Sequence, residues 1–124
     1  MKVIVTICSK HKNDEPELLP ARERYTGDHI AKTEQIANES DLPFFILSGK
    51  YGLLAADEKV SNYDYYLEPE AINDLAKVVE GQLLKFGITE IEFYTKGKES
   101  WESYEIALRK ATELAGATLV SRQL

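Results

Sequence analysis

One cysteine, Cys8, is all the thiol chemistry available to this chain of 124 residues, so no internal disulfide can staple the fold. A reducing compartment agrees with that. Only two histidines accompany it, His11 and His29, too few ligands for a zinc site, so no metal and no cofactor are expected. No apolar run approaches the ~20 residues that span a bilayer. Val3 to Cys8 is also too short for the apolar centre of a secretion signal. The expectation is a cytoplasmic protein with no membrane partner. Positive charge is scarce too: 15 Lys and Arg face 21 Asp and Glu, a net charge of -6. That balance repels phosphate backbones and confines any nucleic-acid contact to a local basic face.

What is present reads as one globular domain over residues 1–124, with 44% hydrophobic residues and enough chain to bury a core unaided. Val3-Ile4-Val5-Thr6-Ile7-Cys8 is a β-branched run suited to a strand buried on both faces. Ser9 to Leu19 is polar, is interrupted by Pro16 and followed by Pro20, and reads as a long loop. A helix follows, capped at Thr26 or begun earlier at Pro20, carrying Ile30, Ala31, Ile36 and Ala37. Phe44 to Leu47 forms the second strand and closes at Ser48-Gly49.

Pro69 then suits a first helical turn, and Ile72, Leu75, Val79 and Leu83 make an apolar stripe that stops at Gly87. Ile91 to Thr95 is the third strand. After Lys96-Gly97-Lys98 comes a helix with Trp101, Tyr104, Leu108, Ala111 and Leu114 on one face, and Ala117 to Ser121 supplies a fourth strand. The alternation β-α-β-α-β-α-β predicts a Rossmann-like α/β fold: an open, mostly parallel, four-stranded sheet with helices on both faces.

Ligands of such sheets bind beyond the carboxyl ends of the strands. Three segments should meet there: Cys8 to Lys12, Ser48 to Tyr66, and Lys96 to Lys98. In Ser48-Gly49-Lys50-Tyr51-Gly52 the glycines let N–H groups approach an anionic or heterocyclic ligand, and Ser48 adds a hydroxyl. The same glycines serve equally to end a strand, with Tyr51 filling the core. No phosphate-binding P-loop motif occurs.

Asp57 and Asp64 are the candidate catalytic residues, as base or nucleophile toward an anomeric carbon, while Tyr63 and its neighbours offer rings for a base to stack on. Turn capping and core filling are the plain alternatives. Cys8, Ser9, Lys10, His11 and Lys12 form a small basic patch fit for phosphate. Cys8 itself is either a thiolate favoured by lysines or a buried strand-end residue. In PARERYTG, Arg22 and Arg24 offer guanidinium groups beside Tyr25, for phosphate or for a surface pairing with Glu23. Lys96-Gly97-Lys98 before Ser100 is in principle an anion-binding helix start. The expected ligand-binding set is Cys8, Ser9, Lys10, Lys12, Arg22, Tyr25, Ser48, Gly49, Lys50, Tyr51, Gly52 and Tyr63.

Taken together, CSKHK after the first strand, PARERYTG before the first helix and ILSGKYGLLAADEKVSNYDYYL after the second strand resemble a known group. It is the small bacterial and phage family of domains of unknown function related to the YaaA peroxide-stress proteins. The likeness covers roughly the first half of the chain, while the second half matches only in element order. It places Cys8, Lys12, Arg22, Tyr25, Gly27, Ser48, Lys50, Tyr51, Gly52, Asp57, Tyr63 and Asp64 on family motif positions. Asn62 stands where YaaA proteins usually have proline, and this chain is far shorter than they are.

The resemblance implies a setting near nucleic-acid base modification and deazaguanine-modifying transglycosylases, and, through YaaA itself, DNA binding under oxidative stress. The expected function is a nucleotide- or nucleobase-binding domain, with N-glycosidic chemistry if it is an enzyme. The alternatives are a non-catalytic nucleic-acid-binding or stress-response module with Lys10, Lys12, Lys50, Lys96 and Lys98 as its basic rim, and a partner-binding accessory domain.

Overall fold

A computed structural model describes residues 1–124. Strand β1 (Lys2–Ile7) is central, since every residue after Lys2 is buried. Parallel to it on either side run β3 (Phe44–Ser48) and β6 (Glu90–Thr95). Beyond β6 lies β7 (Thr118–Gln123), also parallel, and beyond β3 lies β4 (Gly52–Ala55), which is antiparallel. The order is β4-β3-β1-β6-β7.

The α/β class is as the alternation implies, but the sheet has five strands and is mixed. The difference arises at Gly49-Lys50-Tyr51, which reverses the chain so that Leu53 pairs with Leu47 and Leu54 with Ile46. Gly52, at φ +76, supplies the left-handed backbone that begins the returning strand. A second ribbon pairs β2 (Leu19–Pro20) with β5 (Lys59–Val60), next to the single-turn helix α1 (Ala21–Arg24).

Alternation along β1 divides its side chains between two cores. Ile4 faces helix α2 (Asp28–Ser40) in a cluster with Ile30, Ala37, Phe44, Ile46 and Leu54. Val3, Val5 and Ile7 face the other way, into a larger cluster with α3 (Ile72–Phe86) and α4 (Glu102–Ala115), where Leu75, Val79, Leu83, Leu108 and Ala111 pack. Helices therefore cover both faces. Each fully buried Val or Ile of β1 stabilises the fold by about 1.5–3 kcal/mol relative to exposure. Helix α2 starts one residue later than a Thr26 cap requires: Gly27 is its N-cap and no side chain caps it. No helix is long and apolar enough to cross a membrane.

This topology fixes where a site can form. From β1 the chain moves to β3 on one side and later to β6 on the other, so strand order reverses beside β1, and the loops that leave β1 and β3 lie on the β3 side of that point.

Candidate functional site

Ser48 is the last residue of β3 and is fully buried. Its Oγ accepts the backbone N–H groups of Lys50 and Tyr51, each at 3.1 Å, which closes the hairpin turn around its own hydroxyl. The same oxygen lies 2.9 Å from Tyr63 Oη, and Tyr63 Oη in turn contacts Tyr25 Oη. Tyr25 closes α1 and bridges Lys12, so the first loop, the PARER turn and the tyrosine segment meet at the tip of β3.

Around these hydroxyls the rings and lysines interleave. Tyr51 and Tyr63 pack edge to face with centroids 5.2 Å apart. Lys12 Nζ lies 4.9 Å from the Tyr63 centroid and 5.9 Å from that of Tyr25. Lys50 Nζ lies 5.3 Å from both Tyr51 and Tyr63. Neither lysine pairs with a carboxylate, since the chain's ion pairs use Lys2, Arg22, Lys32, Lys96, Arg109 and Arg122. Two cations thus lie against aromatic rings with no carboxylate beside them, and Lys50 also reaches the Tyr51 hydroxyl.

Beneath this group sits the Cys8 thiol, 3.9 Å from the hydroxyl of Tyr104 on α4. Burial pushes the thiol's pKa up, against the opposing pull of the Gly49 backbone, Tyr104 and Lys12. Burial likewise raises Tyr25, Tyr63 and Tyr104, so these phenols stay protonated. Tyr51 differs: a hydrogen bond with Ser61 lowers its pKa. The approach at Gly49 is close: a Cβ there would meet Tyr104 Oη at 3.1 Å and Leu67 at 3.3 Å, so these neighbours would have to give by a few tenths of an ångström.

Several expected residues lie elsewhere or are otherwise engaged. Asp57 follows β4, which runs antiparallel to β3, and the next residue back, Ala56, donates to the Phe44 carbonyl. Asp57 therefore sits at the opposite end of the sheet from Ser48, four strand residues or about 13 Å along β3. Asp64 is at the correct end, exposed and next to Tyr63, with no hydrogen bond or ion pair.

Arg22 is paired with Glu34 of α2 at 2.8 Å. Buried Ser9 is spent on the His11 carbonyl and the Gly27 N–H, and Lys10 is exposed without a partner. Gly52 faces α3, where a Cβ would collide with the Gln82 amide. Of the basic rim, Lys96 is taken by Asp28 at 2.6 Å.

Three residues carry roles that pattern reading does not reveal. Arg24 is completely buried, and its guanidinium donates to the carbonyls of Asn13, Glu15, Glu17 and Val60. It fastens the first loop rather than a phosphate. Gln82 binds the edge strand β4 from α3, accepting from Leu53 N at 2.7 Å and donating to the carbonyls of Leu53 and Tyr51. His29 shares a hydrogen bond with the Ile7 carbonyl at 2.8 Å, its ring 4.8 Å from Trp101. The one signal available was residue type: a lone Arg, Gln or His on an otherwise apolar face.

A cavity of ≈ 350 Å³ opens beside Tyr51, lined also by Leu18, Leu54, Val60 and Ser61. Another of ≈ 300 Å³ lies past β6, among Lys98, Trp101, Glu105 and Arg109. No group of three His, Cys, Asp or Glu side chains is placed to hold a metal ion.

Among known families, the model of one described as a family of unknown function, DUF6884, matches residues 3–95. Those residues contain two of the three strand-end segments, Cys8 to Lys12 and Ser48 to Tyr66, together with Tyr25, but neither Lys96 to Lys98 nor Tyr104. No curated protein and no solved structure matches the chain.

Proposed function

The chain belongs to the DUF6884 family of unknown function, and within it we propose that this protein binds a nucleotide or nucleobase at the carboxyl ends of β1 and β3. The observation that carries the reading is the convergence of the Tyr51 and Tyr63 rings with two lysines that no carboxylate neutralises. A flat heterocycle is held by rings and an anionic group by ammonium ions, and a nucleotide presents both. A base would find room against Tyr51 in the cavity of ≈ 350 Å³ on its outer side, which Glu58 and Lys59 also line and which Tyr63, Lys12 and Lys50 do not.

If the domain is an enzyme, chemistry at an N-glycosidic bond falls to Asp64, which adjoins Tyr63. Asp57 is too far away to share that work. The resemblance of the loops to YaaA-related proteins belongs to the same proposal, as does work in the cytoplasm, where the free thiol of Cys8 would stay reduced.

The test is a thermal-shift screen with nucleosides, nucleotides, deazaguanine bases and short single-stranded DNA. A ligand at a hundredfold excess over its Kd adds about 2.7 kcal/mol of apparent stability, an easily read shift. A response to one nucleotide class that disappears in Ser48→Ala and Tyr51→Phe supports the reading. No response to any base, nucleoside or nucleotide refutes it. A response to DNA alone that fades steeply with salt transfers the proposal to a nucleic-acid partner.

A further inference from the structure

We propose that the Tyr63 hydroxyl is the hydrogen-bond donor of an oxyanion subsite that takes the terminal phosphate of a phosphate monoester between Lys12 and Lys50. The ligand class rests on the nucleotide reading above. The ground for the subsite is a count of hydroxyl protons.

Ser48, Tyr63 and Tyr25 bring three hydroxyl protons to two oxygen–oxygen contacts. Ser48 Oγ already accepts two backbone N–H groups, which occupy its acceptor positions, so its own proton is donated to Tyr63. Tyr63 and Tyr25 then have two protons for one contact. One of them donates across it, and the other has no acceptor in the protein. A surplus proton on Tyr25 would be stranded in a side chain only 1% exposed, whereas Tyr63 is half-buried and borders solvent. Burial of an unmet donor is the costlier arrangement, so Tyr25 donates and the idle proton belongs to Tyr63.

What that proton seeks is set by its neighbours. Lys12 and Lys50 hold their ammonium groups over the ring of the same tyrosine, and neither meets a carboxylate. Three donors with two positive charges call for an acceptor with several oxygens and negative charge. A phosphate monoester has three terminal oxygens, one for each donor. An internal phosphodiester has only two and one charge, so the subsite favours a mononucleotide over the interior of a nucleic-acid strand. A neutral phenol suits the task, because it donates without adding negative charge against the ligand.

The experiment measures, by calorimetry, the affinities of nucleosides, their 5′-monophosphates, the methyl esters of those monophosphates, and inorganic phosphate. Wild-type protein should bind monophosphates at least about tenfold more tightly than the nucleosides or methyl esters, as a charge-assisted hydrogen bond implies. Tyr63→Phe should cut that advantage by about tenfold, the loss of one hydrogen bond to a charged group. Lys12→Gln and Lys50→Gln should each reduce the advantage, and they carry the test if Tyr63→Phe fails to fold.

An advantage that survives undiminished in the folded Tyr63→Phe or in both lysine variants overturns the subsite, and so does equal affinity for nucleoside and monophosphate. The two readings fail separately. Inorganic phosphate that binds through Tyr63 while no nucleoside adds affinity supports the subsite and removes the base-binding reading. Nucleosides that bind without any phosphate advantage do the reverse, and no binding of any probe overturns both.

Discussion

Tyr63 Oη lies 2.9 Å from Ser48 Oγ, a contact that stitches the tip of a central strand to a residue reached only after the chain has run down β4 and back. Ser48 thereby serves the turn and the site with one atom. Ser48→Ala leaves the N–H groups of Lys50 and Tyr51 and the Tyr63 hydroxyl without their partner, in a fully buried place. The expected cost is about 1–3 kcal/mol, read as a lower urea midpoint with an unchanged slope.

Tyr25→Phe separates the two possible directions of the phenol pair. With Tyr25 as donor to Tyr63, its loss leaves the Tyr63 proton in place, and phosphate affinity should change by less than about threefold while stability falls by about 1 kcal/mol. Loss of phosphate binding in this variant would mean that the surplus proton belongs to Tyr25.

Arg24 is the buried rivet of the first loop, and lysine cannot copy its fork of donors. Arg24→Lys should destabilise the protein by about 3 kcal/mol, since several charge-assisted bonds are lost and a buried ammonium is left short of partners. Limited proteolysis is the local measurement: cleavage between Asn13 and Leu18 should accelerate before global unfolding does.

His29 links stability to pH. Burial holds its imidazole below the ordinary value of 6.5; the Ile7 carbonyl and Asp28 oppose this, and Lys96 reinforces it. Because the folded pKa is depressed, the unfolded chain takes up the proton more readily. Stability is then complete above pH 6.5 and declines as pH falls below it, until the folded state protonates as well. Chemical denaturation across this range should show the decline, and His29→Gln should flatten it. Asp28, held down to about 2 by Lys96, and Glu92 act in a separate window, below their ordinary values of 3.8 and 4.5.

Gly52→Ala should loosen the edge of the sheet. The left-handed φ of +76 alone costs about 1–2 kcal/mol for an alanine, and its methyl also displaces the Gln82 amide that holds Leu53. Hydrogen exchange should accelerate at Leu53 and Leu54 ahead of β1.

The parallel strands were legible because buried β-branched and aromatic runs, each followed by a helical stripe, have few other solutions: Val3 to Ile7, Phe44 to Leu47 and Ile91 to Thr95 all became strands. Strand β4 was not, since Leu53-Leu54 is a short apolar pair and the glycines before it read equally well as a ligand loop. That omission displaced Asp57, because an unseen returning strand carries the chain to the wrong end of the sheet. The strand-end rule brings Lys12, Tyr25, Ser48, Lys50, Tyr51 and Tyr63 together from four segments. Arg24 and Gln82 escaped because their partners are main-chain groups, which no side-chain pattern records.

The antiparallel return of β4 also makes the segment from Lys59 to Leu67 a measured strap. It must climb the height of the sheet, pair at Val60 with Leu19, and arrive with Tyr63 level with Ser48 and Leu67 beneath Gly49. Those anchors at Val60 and Tyr63 are three residues apart in the chain, so the strap is pinned at two close points. Removing one residue near Asn62 would carry the tyrosine short of the serine, so this stretch acts as a ruler, and the count of residues in it matters as much as their identity.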